Sequence, residues 1–187
     1  MGDVTVVVFD LDGTLIDSDQ ALVEPFLTLG VPRGEISFGH PIEVECARLG
    51  IDVADYVAAY DVTVVEAYAG VGAMLEQIDR WAVCSNKARA SGEAELLRLG
   101  WTPEIVMFAD DFGGRPKALA PVLEALGVAP EQALFVGDTQ HDLHCAGVAG
   151  TAFAWAGWNP RVGRPAGVAP VLEAPGDVID LVRSGLV

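Results

Sequence analysis

Two aspartates, Asp10 and Asp12, directly follow the apolar run Val4–Phe9 (VTVVVF). Further polar groups follow similar runs. Trp81–Cys84 (WAVC) leads into Ser85, Asn86 and Lys87, and Ala133–Val136 (ALFV) into Gly137, Asp138 and Thr139, with Asp142 one helical turn on. Lys117 lies in the loop beyond Ile105–Ala109 (IVMFA). Carboxylates gathered at one point repel each other. They tolerate one another around a hard divalent cation, and carboxylate, carbonyl and water oxygens suit Mg²⁺. The other groups suit a phosphate: Ser85 can donate a hydrogen bond, Lys117 supplies positive charge, and backbone N–H groups in the Gly13 and Ser85 loops add more. A carboxylate can also attack phosphorus to give an aspartyl-phosphate. A second one can protonate the leaving oxygen and then deprotonate a water. On an extended segment residues i and i+2 face one side, which Asp10 and Asp12 would share.

These groups converge only if the runs form one sheet. Runs without polar alternation fit parallel strands buried on both faces. Thr151–Trp155 (TAFAW) is a fifth such run. Helical patterns lie between them: Val71–Asp79, Ala88–Leu99 closed by Gly100, and Leu119–Leu126 closed by Gly127. Strands alternating with helices predict a doubly wound, Rossmann-like α/β sheet, whose ligands bind beyond the carboxyl ends of its strands. From Asp17 to Ala69 the alternation breaks into helices at Gln20–Leu29, Pro41–Leu49 and Val53–Tyr68. The predicted division is a catalytic core of residues 1–16 and 70–187 and a helical cap of residues 17–69. Asn159–Pro175 reads as a surface tail, and Asp177–Ser184 as a final helix.

The 187 residues carry a formal charge of −16, which disfavours nucleic acid and anionic membranes as partners. A phosphate-processing site in such a chain needs a cation. Cys46, Cys84 and Cys145 have no CxxC spacing, so a cytoplasmic protein with reduced thiols is expected. No signal peptide or membrane-spanning run is evident.

FDLDGTLIDS (Phe9–Ser18) resembles the first motif of the haloacid dehalogenase superfamily. CSNK (Cys84–Lys87) resembles its second, the Lys117 region its third and VGDTQHD (Val136–Asp142) its fourth, in the family's order. The pattern is most similar to the phosphoglycolate phosphatase-like branch, with a helical cap inserted after the first motif. The resemblance implies a magnesium-dependent phosphatase acting on a small phosphorylated metabolite. Asp10 would be nucleophile and metal ligand. Asp12 would be general acid and base, its carbonyl also on the metal. Ser85 would hold the phosphoryl group, Lys117 would neutralise its charge, and Asp138 and Asp142 would complete the metal site. Gly13, Thr14 and Asn86 join Ser85 and Lys117 as substrate-binding residues. The family's third motif is often Lys-Pro. Here the string is Arg115-Pro116-Lys117-Ala118, which leaves Arg115 and Lys87 as alternatives to Lys117.

Other chemistries compete. A phosphomutase of sugar phosphates would use the same motifs, and a non-catalytic binder would keep the fold. A dehalogenase usually lacks the second aspartate. Singly, Asp10 and Asp12 could form a turn, Ser85 could cap a helix, and Asp138 and Asp142 could begin one. His141 and His144 lack zinc-helix spacing. Asp110 and Asp111 read as loop-shaping, the four tryptophans as core or rim, with Trp158, beside Asn159 and Pro160, as the one that could lie near the cleft, and Phe26, Arg33 and Arg48 singly as cap surface.

Overall fold

The computed structural model describes residues 4–37, 41–160, 167 and 170–185. Its centre is β1 (Val6–Phe9), whose four residues are all buried. Beside it lie β4 (Trp81–Cys84) and β6 (Ala133–Gly137), followed outward by β5 (Ile105–Met107) on one side and β7 (Ala152–Ala156) and β8 (Val171–Leu172) on the other. The order β5-β4-β1-β6-β7-β8 is parallel throughout. The chain winds from β1 to one edge and returns to wind to the other. The sheet's switch point therefore lies at the end of β1, where Asp10 begins.

Period-two alternation divides the core. Val7 and Phe9 point to the face covered by α4 (Val71–Leu75), α5 (Arg89–Leu99) and α8 (Asp177–Ser184). Val6 and Val8 point to the face covered by α6 (Leu119–Leu126) and α7 (Gln140–Ala149). Each such side chain contributes about 1.5–3 kcal/mol by burial. With both faces covered, the central strands read as unbroken apolar runs.

Between β2 (Ile16–Asp17) and β3 (Glu66–Ala67), which pair antiparallel, the chain forms α1 (Asp19–Thr28), α2 (Ile42–Leu49) and α3 (Val53–Ala59). These helices have their own core around Phe26, Val31, Cys46 and Tyr56. Inside it Glu45 is held by the Arg48 guanidinium and by the Ser37 backbone and hydroxyl.

Several elements depart from the sequence reading. The helix expected over Val53–Tyr68 stops at Ala59. The Asp61 carboxylate accepts from Thr63 N and starts a separate 3₁₀ turn over Val62–Val64, and the chain is extended again from Val65. α4 ends at Leu75, four residues short of Asp79. β5 ends at Met107 because the Asp111 carboxylate accepts from Phe108 N and turns the chain into Ala109–Phe112. β8 was not expected. Residues 161–166 and 168–169 of the expected surface tail lie outside the described residues.

Candidate active site

Phe9 ends β1 inside the core, and the next residue, Asp10, is turned to the sheet's carboxyl edge. Asp10 and Asp12 both line a cavity of about 560 Å³, while Leu11 between them is fully buried. The alternation expected of an extended segment thus persists past the strand. Gly13 then turns at φ +80°, where a side chain is strained. A Cβ there would also stand 2.2 Å from Asp138 Oδ2, so Gly13 lets the first loop approach the loop after β6.

Lys117 Nζ lies 2.5 Å from Asp10 Oδ1 and 2.7 Å from Asp142 Oδ1. The sequence left three cations open for this place, and Lys117 is the one beside Asp10. Lys87 meets Asp12 instead, and the Arg115 Nε donates to the Phe112 carbonyl. The Asn86 amide oxygen accepts from Lys117 N at 2.7 Å and so ties the loop after β4 to the lysine. Asp142 belongs to the first turn of α7. Thr139 caps that helix by accepting from Asp142 N, while Asp142 Oδ2 accepts from Thr139 N. The capping interaction fixes the backbone and leaves Asp142 Oδ1 to face Lys117.

Oxygens of Asp10, Asp138 and Asp142 lie within 4.8 Å of one another, and all three residues are buried. Asp138 Oδ2 accepts from the Asn159 amide at 2.9 Å, and Oδ1 from the Thr14 hydroxyl at 3.3 Å. Burial pushes Asp10 well above the usual carboxylate range; Lys117 opposes this, and Asp142 and Asp138 add to it. Burial, and after it the charge of Asp142, lifts Asp138 to about 7. Burial alone would lower Lys117, but Asp10 and Asp142 outweigh it and raise the ammonium's pKa. Three carboxylates against one ammonium leave two negative charges, which a divalent cation would balance. All-oxygen donors suit Mg²⁺. Asp142 Oδ1 meets the ammonium as an ion pair but has no hydrogen-bond partner, which leaves it capacity for a metal.

Of the other expected residues, Ser85, Asn86 and Gly13 line the cavity. Ser85 does not cap α5, whose N-cap is Ala88; its Oγ accepts from Lys87 N at 3.2 Å. Thr14 is fully buried and its hydroxyl is spent on Asp138. The cavity's far wall comes from the helical segment, through Leu22, Val23, Phe26, Ile36, Ile42 and Val57, with Arg33 as a cation beside them. Phe26 and Arg33 thus face the site, whereas Arg48 is engaged by Glu45.

Asn159 and Trp158 also support the site. Trp158 Nε1 donates to the Thr14 carbonyl at 2.9 Å and braces the Gly13 turn. Both residues follow β7; Trp158 is the tryptophan the sequence offered for the cleft, and asking what the fifth apolar run ends in would have singled out Asn159 as well. Asp110 and Asp111 bond Arg89 N and its guanidinium, as loop-shaping residues do. His141 stands 3.5 Å from Cys145 Sγ, apart from the acidic cluster. The three cysteines are free and buried.

Residues 7–156 match the family model described as haloacid dehalogenase-like hydrolase. A phosphoglycolate phosphatase of Xanthomonas campestris pv. campestris (strain 8004) is 28% identical to this chain, over 84% of it and 85% of the relative. A phosphoglycolate phosphatase of Pseudomonas putida is 31% identical over 96% of this chain and 77% of the relative. Among solved structures, a HAD-superfamily hydrolase of subfamily IA, variant 1, from Geobacter sulfurreducens PCA superposes with a TM-score of 0.69 at 25% identity, covering 97% of each chain. With its parallel sheet, its three polar strand ends and a family match over most of its length, the chain belongs to the haloacid dehalogenase-like hydrolases.

Proposed function

We propose that the protein is a magnesium-dependent phosphatase that hydrolyses a small-molecule phosphate monoester through an aspartyl-phosphate on Asp10. The observation that carries this is the meeting of Asp10, Asp138 and Asp142, with Lys117 paired to Asp10 and Asp142 and with Asp10, Asp138 and Lys117 lining one cavity. The relatives named as phosphoglycolate phosphatases support the reaction class.

Asp10, Asp138 and Asp142 would hold the metal, with the Asp12 carbonyl. Magnesium, when bound, neutralises charge on the phosphoryl oxygens and stabilises the transition state. Lys117 orients Asp10 and adds positive charge beside it. Ser85 and Asn86 bind the phosphoryl oxygens at the opposite side. An Asp10 carboxylate oxygen forms a bond to phosphorus as the ester P–O bond breaks, and the departing oxygen takes a proton from Asp12. A water then attacks the phosphorus of the intermediate and gives its proton to Asp12. The Asp10–phosphorus bond breaks and inorganic phosphate leaves.

Residues 17–69 act as a cap over the core formed by 1–16 and 70–187. Closure over the cavity excludes bulk water from the phosphoryl group. The cap wall is mainly apolar, which suits a leaving group with an apolar face. No helix among the described residues is long and apolar enough to cross a membrane, and the unpaired thiols agree with a cytoplasmic enzyme.

The test is phosphate release from p-nitrophenyl phosphate and a panel of phosphorylated metabolites, with magnesium or with EDTA, by the wild type and by Asp10→Asn. Release that needs both magnesium and Asp10 is expected. Chelator-insensitive release, or full activity of Asp10→Asn, would overturn the mechanism. Isomerisation of a sugar phosphate without phosphate release would identify a mutase.

A further inference from the structure

The side chain of Asp12 is held by a different set of groups from those that hold Asp10. Its Oδ1 accepts from two donors, the Ser18 hydroxyl and the Lys87 ammonium, the latter at 2.7 Å. Among the described residues Oδ2 has no such partner, and Asp12 lines the cavity. Lys87 is itself buried. Its Nζ is 3.1 Å from Glu95 Oε1 and donates to the Tyr60 hydroxyl at 2.9 Å. The Tyr60 hydroxyl in turn donates to Glu95 Oε1 at 2.5 Å. An ammonium has three N–H bonds, and Asp12, Glu95 and Tyr60 supply three acceptors. Lys87, Glu95 and Tyr60 close a triangle, and Asp12 is its arm towards the cavity.

The members of this network come from separate parts of the chain. Lys87 follows β4 and Glu95 sits on α5, both in the core. Tyr60 follows α3 on the return from the helical segment to β3. A Lys87–Glu95 pair would satisfy both buried charges without reaching any catalytic group. In this protein the pair extends at one end to a single oxygen of Asp12 and at the other to a hydroxyl of the helical segment.

We infer that Lys87 is a positioning residue: held by Glu95 and Tyr60, it pins Asp12 Oδ1 so that Oδ2 is presented to the leaving-group oxygen. Tyr60 makes this arrangement depend on the helical segment being seated on the core. The inference rests on Asp12 being the general acid, and it assigns the control of that acid to Lys87, at the end of the second motif, and to Glu95 and Tyr60, which lie outside the motifs. A proton donor works only within hydrogen-bond reach of its target, and a misplacement of about 1 Å can cost on the order of 100-fold. A released Asp12 can rotate, whereas Asp10 and the metal-binding acids keep their own partners.

The experiment compares kcat/KM for p-nitrophenyl phosphate, whose leaving group needs no proton, and for an alkyl phosphate, whose alkoxide does. The variants are Tyr60→Phe, the double variant Lys87→Met/Glu95→Gln and Asp12→Asn. The double variant removes both buried charges together, because Lys87→Met alone would strand Glu95. Circular dichroism and a cooperative melt identify folded protein. Asp12→Asn should lose on the order of 100-fold or more on the alkyl ester and much less on the aryl ester. The double variant should lose roughly 10–100-fold, and Tyr60→Phe roughly 3–10-fold, with the same selectivity for the alkyl ester. Equal losses on both esters in folded double variant and Tyr60→Phe, or no loss, would overturn the positioning role if Asp12→Asn still discriminates between them. If Asp12→Asn itself fails to discriminate, the acid assignment falls first and this inference falls with it.

Discussion

Alanine at Gly13 should damage this site in two separable ways. Gly13 has φ +80°, and placing an L-residue in that region costs roughly 1–2 kcal/mol. For a chain of this size each kcal/mol corresponds to roughly 2–4 °C, so backbone strain alone should lower Tm by roughly 2–8 °C. The new Cβ would stand 2.2 Å from Asp138 Oδ2 and 2.9 Å from the Asn159 amide nitrogen. Ordinary contact begins at 3.4 Å, so Asp138 must retreat by about 1 Å or the turn must open. Either movement separates Asp138 from Asp10 and Asp142, and the loss in kcat/KM should be on the order of 100-fold. Gly127→Ala is the control. It has φ +67° at the end of α6 with nothing within 4 Å of the added atom, so it carries the strain without the collision. Differential scanning calorimetry and magnesium titration of phosphatase activity should be run on both variants. A fall in Tm is expected for each, larger for Gly13→Ala because of the collision, with a higher magnesium requirement and lost activity only for Gly13→Ala. Unchanged magnesium dependence and kcat/KM in a folded Gly13→Ala would refute the claim that the first loop and Asp138 must meet this closely.

Lys117→Met should abolish phosphatase activity and strand Asp10 and Asp142. Breaking a buried pair from one side costs about 3–5 kcal/mol, which urea denaturation would measure, and added magnesium should recover part of the stability but not the rate. The acidic cluster should also make magnesium stabilisation pH-dependent. Asp138 is lifted from its ordinary 3.8 to about 7, so between those values the folded protein without metal binds a proton that the unfolded chain has lost. Its metal-free stability therefore falls as pH rises through that window. The rise in Tm on adding magnesium should accordingly be larger at pH 8 than at pH 5.5, and an equal rise at both would argue against these acids as the metal site. Replacing Asp138 with Ala should weaken magnesium binding itself, which isothermal titration with the metal alone would register.

Much of the fold was legible because it follows from local patterns. The strands before Asp10, Ser85 and Asp138 (Val6–Phe9, Trp81–Cys84 and Ala133–Gly137) are apolar throughout, as strands covered on both faces must be, and they form the centre of the sheet. Gly100 and Gly127 end α5 and α6 where the sequence placed those ends. Asp177–Ser184 was read with its correct limits. Errors fell where a side chain competes with the backbone: Asp61 restarted the chain inside a predicted helix, and Asp111 cut a predicted strand short. Three to five residues hold too little periodic signal to resist a single such hydrogen bond.

The candidate site divides along the same line. Residue type and motif order pointed to Asp10, Asp12, Ser85, Lys117, Asp138 and Asp142: Asp10, Asp12, Ser85 and Asp138 follow apolar runs, Asp142 comes one helical turn on, and Lys117 lies in the loop beyond its run. Motif order favoured Lys117 and left Lys87 and Arg115 as alternatives, since all three are cations on loops at the same edge. Only folding sets Lys117 beside Asp10 and Lys87 beside Asp12. Likewise Glu95 lies within the helix expected over Ala88–Leu99 and Tyr60 within the one expected over Val53–Tyr68, and nothing local joins the two. Their meeting spans 35 residues of sequence. Local pattern fixes which face of a strand or helix a residue occupies. Which distant loops touch depends on how closely two backbones can approach, as Gly13 and Asp138 do, and that is a property of the packed chain.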